Sequence, residues 1–372
     1  MKLMIIEVIR GLGLGGAETL LYNRLRHATE TNPAGFENTL VVNTLAEASF
    51  YSEKLRALGI PVIEIRPRDP LRGMIHLNRV LEALGRGCTT IYHSPVTTYL
   101  EKARRSMSRN HNGPLIEVVH STRYRKIYLQ MGRWLDRNAD LAIAVSNDVA
   151  MAPTVSHFSH VRTLLAGADV GRMRAWVQQN PNAPQEFRLS KDIPAGHKLI
   201  VTVGSLIPLK GQKYAIQALL DPRLYDVTLA LIGEGPEAGE LMRLVERLGL
   251  SERVRFVGRV VDAWRWTAVA DALVHPSYFE GLPVTLMEAA ALGTPIVATN
   301  VGGVQEVFDK GARGKLITIP ETALVADGLV DVLDSIPPIC HAFSSRAEGE
   351  SFWSLQRYTN EFYAMIGVKN GG

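Results

Sequence analysis

Residues 275–307 read HPSYFEGLPVTLMEAAALGTPIVATNVGGVQEV, and no other stretch of the 372-residue chain constrains the fold as tightly. Apolar runs at Ala272–His275 and Ile296–Thr299 flank it, each short enough for a buried strand, so the order is strand, loop, helix, strand. Glu280 falls in the loop and Glu288 in the helix. Pro283 suits the first helical position and Gly293 the residue just past the end. A helix that opens from a loop at a strand's C-terminal end turns free backbone N–H groups toward whatever binds there, and phosphate is the usual guest.

Outward from this segment the same alternation recurs. Leu3–Ile9, Asn38–Val42, Pro61–Ile65, Thr89–Tyr92, Ile116–Val119 and Leu141–Val145 read as strands of a first half. Leu199–Val203, Val227–Ile232, Val254–Val257, Ala272–His275, Ile296–Ala298 and Lys315–Ile317 read as strands of a second. Helical stretches between them, such as Ala17 to about Thr29, and glycine-marked turns predict parallel sheets covered on both faces. The pattern weakens between Gly167 and Lys198, where the polar, Pro-containing run Gln178–Gln185 predicts a surface loop near a boundary. The expected division is a first domain over 1–168, a second over 169–350, and a terminal helix and tail over 351–372, with the helix at Phe352–Ile366.

At 372 residues with 46% hydrophobic content, the chain can bury two cores. Cys88 and Cys340 lie far apart without metal-ligand spacing, which gives neither a disulfide framework nor a zinc site and points to a reducing, cytoplasmic setting. No signal peptide is evident at Met1–Ile9, and no run reaches the roughly 20 apolar residues of a spanning helix. Net charge is +4, but residues 99–137 alone carry nine basic and three acidic side chains. Arg104, Arg105, Arg123, Arg125 and Lys126 belong to that excess. An anionic acceptor or an anionic membrane surface suits it, which would make the protein peripheral on the inner face of the cytoplasmic membrane. An amphipathic helix packed on its own domain is the simpler reading, and no nucleic-acid module accompanies the patch.

Several turns carry candidate chemistry. Gly11, Gly13 and Gly16 form a G-x-G-x-x-G after the first strand, a turn that lets backbone approach a pyrophosphate. The second strand ends in Val42-Asn43-Thr44 without the ribose-binding acid of a dinucleotide enzyme, so a plain glycine-rich turn competes with a turn lying against a ligand in an interdomain cleft. Gly204-Ser205 through Lys210-Gly211 follow the first strand of the second half, and Lys210 could meet a phosphate as a point charge. Glu280 and Glu288 could be read as a hydrolase pair, but their surroundings differ, and Glu288 suits a ribose diol. His93 and His120 each end a strand of the first half. Asp169 could serve the cleft or cap a helix.

Together these residues resemble the retaining glycosyltransferases of the GT-B fold, the glycogen-synthase-like and mannosyltransferase-like enzymes of glycosyl transferases group 1, family 4. The resemblance rests on Glu280-Gly281-Leu282-Pro283 through Glu288, on Gly302-Gly303, on Gly15-Gly16-Ala17-Glu18 and on Gly204 to Lys210-Gly211. It implies two Rossmann-like doubly wound domains facing across a cleft, with the C-terminal helix returning to the first domain. It also implies a UDP- or GDP-sugar donor held by the second domain and a hydroxyl acceptor, lipid-linked acceptors among the candidates, chosen by the first. Glu288 would hold the ribose, Glu280 the transferred sugar, and Lys210 with the backbone of Leu282, Pro283 and Val284 the diphosphate. His120 would lie at the reacting centre and the Gly15-Gly16 loop near the diphosphate. No metal or other cofactor is implied. Ser205 stands where the family usually has Arg, leaving Lys210 with less help on the leaving group, and Ala166 stands where it commonly has Asn. A sugar-nucleotide epimerase, a phosphorylase of the same architecture, or a sugar-nucleotide-binding protein without catalysis are the alternatives.

Overall fold

The computed structural model describes residues 4–13, 15–31, 36–44, 49–65, 70–83, 88–107, 113–121, 140–156, 158–335 and 352–367. The chain divides into two compact units, one formed by Met1–Gly167 with Leu355–Gly372 and the other by Ala168–Ser354.

Among its described residues the first unit holds seven strands: β1 (Met4–Ile9), β2 (Thr39–Asn43), β3 (Val62–Glu64), β4 (Cys88–Tyr92), β5 (Leu115–Val119), β6 (Leu141–Ala144) and β7 (Val161–Thr163). They pair in parallel in the order β3-β2-β1-β4-β5-β6-β7. The second unit holds β8 (Lys198–Val203), β9 (Val227–Ile232), β10 (Val254–Gly258), β11 (Ala272–His275), β12 (Ile296–Thr299) and β13 (Gly314–Ile317), also parallel, in the order β10-β9-β8-β11-β12-β13. Both orders are those of a doubly wound Rossmann-like sheet, in which the chain starts in the middle, works outward one way and then crosses to the other side. Every residue of β9 is buried, as expected for a strand covered on both faces.

Three readings of the sequence need correction. Pro283 is not the first helical residue. It has extended backbone (φ −75°, ψ 112°) and caps a helix running Val284–Leu292, which Gly293 ends in left-handed conformation (φ 74°). The run Gln178–Gln185 is not one loop, because helices Val170–Gln179 and Ala183–Ser190 leave only a short link between them. Pro184 lies in the first turn of the second of these, where its missing N–H costs nothing. Trp176 and Phe187 from these helices pack edge-on against Trp264 and Trp266, which is how so polar a stretch is anchored. Strand β7 went unread because its pattern is short and two of its three residues are exposed.

The terminal helix Leu355–Met365 belongs to the first unit and is tied there through a buried ion pair. Glu7, in the otherwise apolar β1, and Arg24, in the helix Gly16–Thr31, are both fully buried and meet at 2.7 Å. Arg24 also lies over the Phe362 ring at 3.7 Å and donates to the Tyr363 hydroxyl at 3.4 Å. Burial pushes the Tyr358 phenol beside it up to about 12. Removing one partner of such a pair leaves an uncompensated charge in the core. Arg24→Ala should therefore cost about 3–5 kcal/mol of stability, read by urea unfolding, whereas Lys315→Ala, which removes the exposed bond to Asp331, should leave the midpoint almost unmoved. Equal, small effects of the two variants would show that the Arg24 pair does not anchor the fold.

Candidate functional site

In an open α/β sheet ligands bind outside the carboxyl ends of the strands, at the point where strand order reverses. In the second unit that point lies between β8 and β11. The loop after β8 passes through Gly204 and Ser205 to a short 3₁₀ turn at Pro208–Lys210, and Gly211 then adopts left-handed backbone (φ 64°). A Cβ at Gly211 would collide with the Pro276 carbonyl oxygen, so only glycine lets this loop press against the one after β11. The Tyr278 N–H donates to the Leu209 carbonyl at 2.8 Å and closes the contact. The Ser205 carbonyl accepts from Gln212 Nε2 at 2.9 Å, while the space around Gly204 Cα is open.

This approach delivers Lys210 onto Glu280. Lys210 Nζ donates to both carboxylate oxygens, at 2.6 and 2.9 Å, and His275 Nε2 lies 2.6 Å from Oε1 of the same carboxylate. Ser277 Oγ sits 3.1 Å from His275 Nε2. From the other side Gly302 (φ 57°) packs against the Glu280 carbonyl, and the Gly303 N–H donates to the Gly281 carbonyl at 2.7 Å. Burial would raise the Glu280 carboxyl, but His275 and Lys210 outweigh it and hold it at about 2. It is therefore ionised and forms an ion-paired cluster rather than a proton donor.

Glu288 has the opposite environment. It lies within the helix Val284–Leu292 at 9% exposure and makes no side-chain hydrogen bond to any described residue. Burial, and then the nearby Asp262, push its carboxyl up to about 8. Asp262 itself is held by Arg172 at 2.6 Å. At the start of the helix, Leu286 and Met287 turn their N–H groups back to the Pro283 carbonyl. Val284 and Thr285 have no such backbone acceptor among the described residues, and Gly281, Leu282 and Pro283 lead into them. The arrangement offers an acceptor of hydroxyls, a cation, and free N–H groups at a positive helix end, which is what a phosphorylated, hydroxyl-rich ligand requires.

In the first unit the order reverses between β1 and β4. Gly15 precedes and Gly16 opens the helix after β1, and the Gly15 carbonyl accepts from the Thr19 N–H at 2.9 Å. His93 follows β4 and His120 follows β5. His93 Nδ1 is 3.5 Å from His120 Nε2, and His93 Nε2 is 2.8 Å from Glu7 Oε2. Burial and then His93 hold the His120 imidazole down to about 3, so it is neutral. Asp169 caps the helix Val170–Gln179 by accepting from the Arg172 N–H at 3.2 Å. Of the basic patch, Arg123, Arg125 and Lys126 lie outside the described residues, as do the side chains of Arg104 and Arg105.

Glu7, His275 and Asp262 escaped the reading of the sequence. Glu7 had a signal, a lone acid in an apolar strand; His275 stood in the deciding segment as the last residue of a strand. Asp262 gave none. Among the described residues no cluster of three or more His, Cys, Asp or Glu is arranged to hold a metal, and no helix is long and apolar enough to cross a membrane.

Comparison with known proteins places this geometry. Residues 184–349 match the family described as glycosyl transferases group 1. D-inositol 3-phosphate glycosyltransferase of Corynebacterium efficiens is 32% identical over 214 residues, 53% of this chain and 49% of that protein. N-acetyl-alpha-D-glucosaminyl L-malate synthase of Bacillus anthracis is 30% identical over 142 residues, 38% of this chain and 37% of that protein. The chain thus spans about half or less of the length of these curated relatives. Among solved structures, Anabaena Alr3699/HepE in complex with UDP-glucose superposes with a TM-score of 0.80 at 22% identity, covering 98% of this chain and 99% of that one. WaaG, a glycosyltransferase involved in lipopolysaccharide biosynthesis, gives 0.71 at 16% identity, covering 99% and 100%. Residues 184–349 therefore resemble the glycosyl transferases group 1 family, and the fold of the chain, two Rossmann-like units, is that of the GT-B structures.

Proposed function

We propose that the chain transfers a sugar from a nucleoside diphosphate sugar, with UDP or GDP as carrier, to a hydroxyl acceptor with retention of anomeric configuration and without a metal. The Lys210–Glu280–His275 cluster beside the open helix start at Val284 carries this reading. Glu280, ionised and oriented by two cations or donors, accepts from hydroxyls of the transferred sugar. Lys210 and the N–H groups of Val284 and Thr285 take the diphosphate, and Glu288 takes the ribose diol. Gly204 and Ser205 leave room for the ligand's backbone approach, and the Gly15-Gly16 turn and His120 serve the reacting sugar and acceptor.

In the reaction the bond between the anomeric carbon and the diphosphate oxygen breaks, and the acceptor oxygen bonds to the same face. The acceptor's proton leaves on the departing diphosphate. The protein's contribution is positioning and stabilisation of the leaving charge, not a covalent intermediate. Ser205, where the family usually has Arg, leaves Lys210 as the cation for that task on its loop. The family match favours transfer over an epimerase or phosphorylase reading. The solved complex of Alr3699/HepE with UDP-glucose supports a nucleotide-sugar donor. The basic excess over residues 99–137 supports a peripheral position on an anionic, cytoplasmic membrane face, where a lipid-linked acceptor would be met.

A thermal-shift screen against nucleoside diphosphate sugars should reveal one that stabilises the protein, because a ligand that binds only the native state raises its melting temperature. Glu288→Ala should abolish that shift, and Lys210→Met should lower kcat by about 100-fold or more. Near-native behaviour of both variants would remove the site assignment.

The two protonation states give a second test. Glu288 is protonated in the empty site, with its carboxyl raised from 4.5 to about 8. Because the native state then binds more protons than the unfolded one, the empty protein loses stability as pH rises from about 4.5 to about 8. Donor that requires the carboxylate should expel a proton on binding, so its affinity should rise with pH up to about 8. Calorimetry in buffers of different ionisation enthalpy measures this, and proton release unchanged in Glu288→Gln would refute the ribose role. The membrane position predicts sedimentation with phosphatidylserine vesicles that high salt reverses; absence of binding at low salt would reject it.

A further inference from the structure

Glu280 is held twice by Lys210 and once by His275, and with about four acceptor positions in all it has little left for a sugar hydroxyl. We propose that Lys210 changes partner when the donor binds, leaving Glu280 for the diphosphate, and that His275 is the positioning residue that holds Glu280 once Lys210 has gone. The inference rests on the transferase reading for its ligand.

The three side chains differ in their freedom to move. His275 is the last residue of β11, paired with Ala298 of β12, and its side chain is 4% exposed. Glu280, at 7%, sits on a loop whose backbone is fixed by the Gly303 N–H on the Gly281 carbonyl. Lys210 reaches the same carboxylate from a different loop, on a long, rotatable side chain that stays 25% exposed. An incoming diphosphate carries more negative charge than one carboxylate, and it is drawn to the N–H groups at Val284, four residues beyond Glu280 on the same loop. The flexible cation is therefore the partner that turns to it.

What stays behind follows from the atoms. Lys210 Nζ lies 2.6 Å from Oε1 and 2.9 Å from Oε2, whereas His275 Nε2 approaches Oε1, at 2.6 Å. Glu280 is ionised and can only accept, so the hydrogen of this contact is on His275 Nε2, whatever the charge of the ring. Ser277 Oγ, at 3.1 Å from the same nitrogen, is the longer and uncharged contact. When Lys210 leaves, Oε1 keeps the His275 N–H and Oε2 is vacated. Oε2 is thus the atom offered to a hydroxyl of the transferred sugar. Without His275, the departure of Lys210 would strand a buried carboxylate with no partner among the described residues, and binding of the diphosphate would carry that penalty.

The exchange predicts an order of affinities that unchanging contacts would not produce. Calorimetry should show UDP and GDP binding about two- to fivefold more tightly to Glu280→Gln than to the native protein, because Lys210 no longer has to leave an ion pair. His275→Phe should bind them at least about tenfold more weakly. His275→Gln, whose amide keeps an N–H within reach of Glu280, should bind near the native level. The Phe penalty should vanish when Glu280→Gln is added to the same chain. Native or weaker affinity in Glu280→Gln would overturn the release of Lys210. Native affinity in His275→Phe, or a penalty that survives in the double variant, would overturn the holding role of His275. If the Phe variant fails to fold, His275→Asn, whose shorter amide falls short of the carboxylate, replaces it with the same expectation. Inorganic pyrophosphate should follow the same order, which separates the exchange from the nucleotide. A native protein that takes pyrophosphate but neither UDP nor GDP would count against the transferase reading alone, while one that binds pyrophosphate no better than Lys210→Met would overturn the exchange.

Discussion

The site of the second unit depends on backbones meeting where no side chain fits. Gly211 presses on the Pro276 carbonyl, Gly302 on the Glu280 carbonyl, and Gly233 on the Gly204 carbonyl, and each of these glycines has positive φ. A Cβ at any of them would push apart two loops that follow neighbouring strands. Because those loops leave a parallel sheet side by side, their separation is set by strand spacing, and the only freedom left is how closely the turns can nest. Nesting to backbone contact is what carries Lys210 within 2.6 Å of a carboxylate that belongs to another loop. The cluster is thus a consequence of main-chain geometry first and of charge attraction second.

The first unit solves a different problem with a different device. Its C-terminal helix arrives from the far end of the chain and is held by Arg24, whose guanidinium is covered by the Phe362 ring, by Arg357, which donates to the Leu165 carbonyl at 2.8 Å, and by Tyr363, which packs edge-on with Phe36. A buried cation must be paired, and the pair is Glu7, within the interior strand β1. Packing of the terminal helix and placement of His93 are therefore coupled to the same two charges. An apolar substitute at Glu7 and Arg24 could have filled the core equally well, but it would have left His93 without an orienting acceptor.

The fold was legible because its signals are local and repeated. Short apolar runs announce parallel strands, and twelve of the thirteen strands among the described residues could be read that way, β7 being too short and too exposed. Helix Ala183–Ser190 was hidden because Asn182 and Pro184 look like loop residues while acting as cap and first turn. The carboxylates and Lys210 were legible as types at strand ends. Their protonation states were not, since these depend on neighbours from other elements: His275 for Glu280 and Asp262 for Glu288. Likewise His120 could be singled out by position, whereas its link to Glu7 through His93 spans β5, β4 and β1 and exists only once the sheet is formed.

Glu280 and Glu288, which look alike in the sequence, are held in opposite states, one ionised near the bottom of the carboxylate range and one protonated at neutral pH. The difference has a reason in the ligand's charge. In the proposed transfer a diphosphate would bring negative charge to the start of the helix Val284–Leu292, and two carboxylates ionised beside it would oppose its binding. Glu280 avoids this by spending its charge on Lys210 and His275, so the cluster carries no net negative field. Glu288 avoids it by being neutral near pH 7, and in the proposed complex hydroxyl donors would replace the hydration that burial took away. Two environments, one supplied by Lys210 and His275 and one by a buried helix position with Asp262 nearby, would thus let the same residue type serve at both ends of the proposed negatively charged guest.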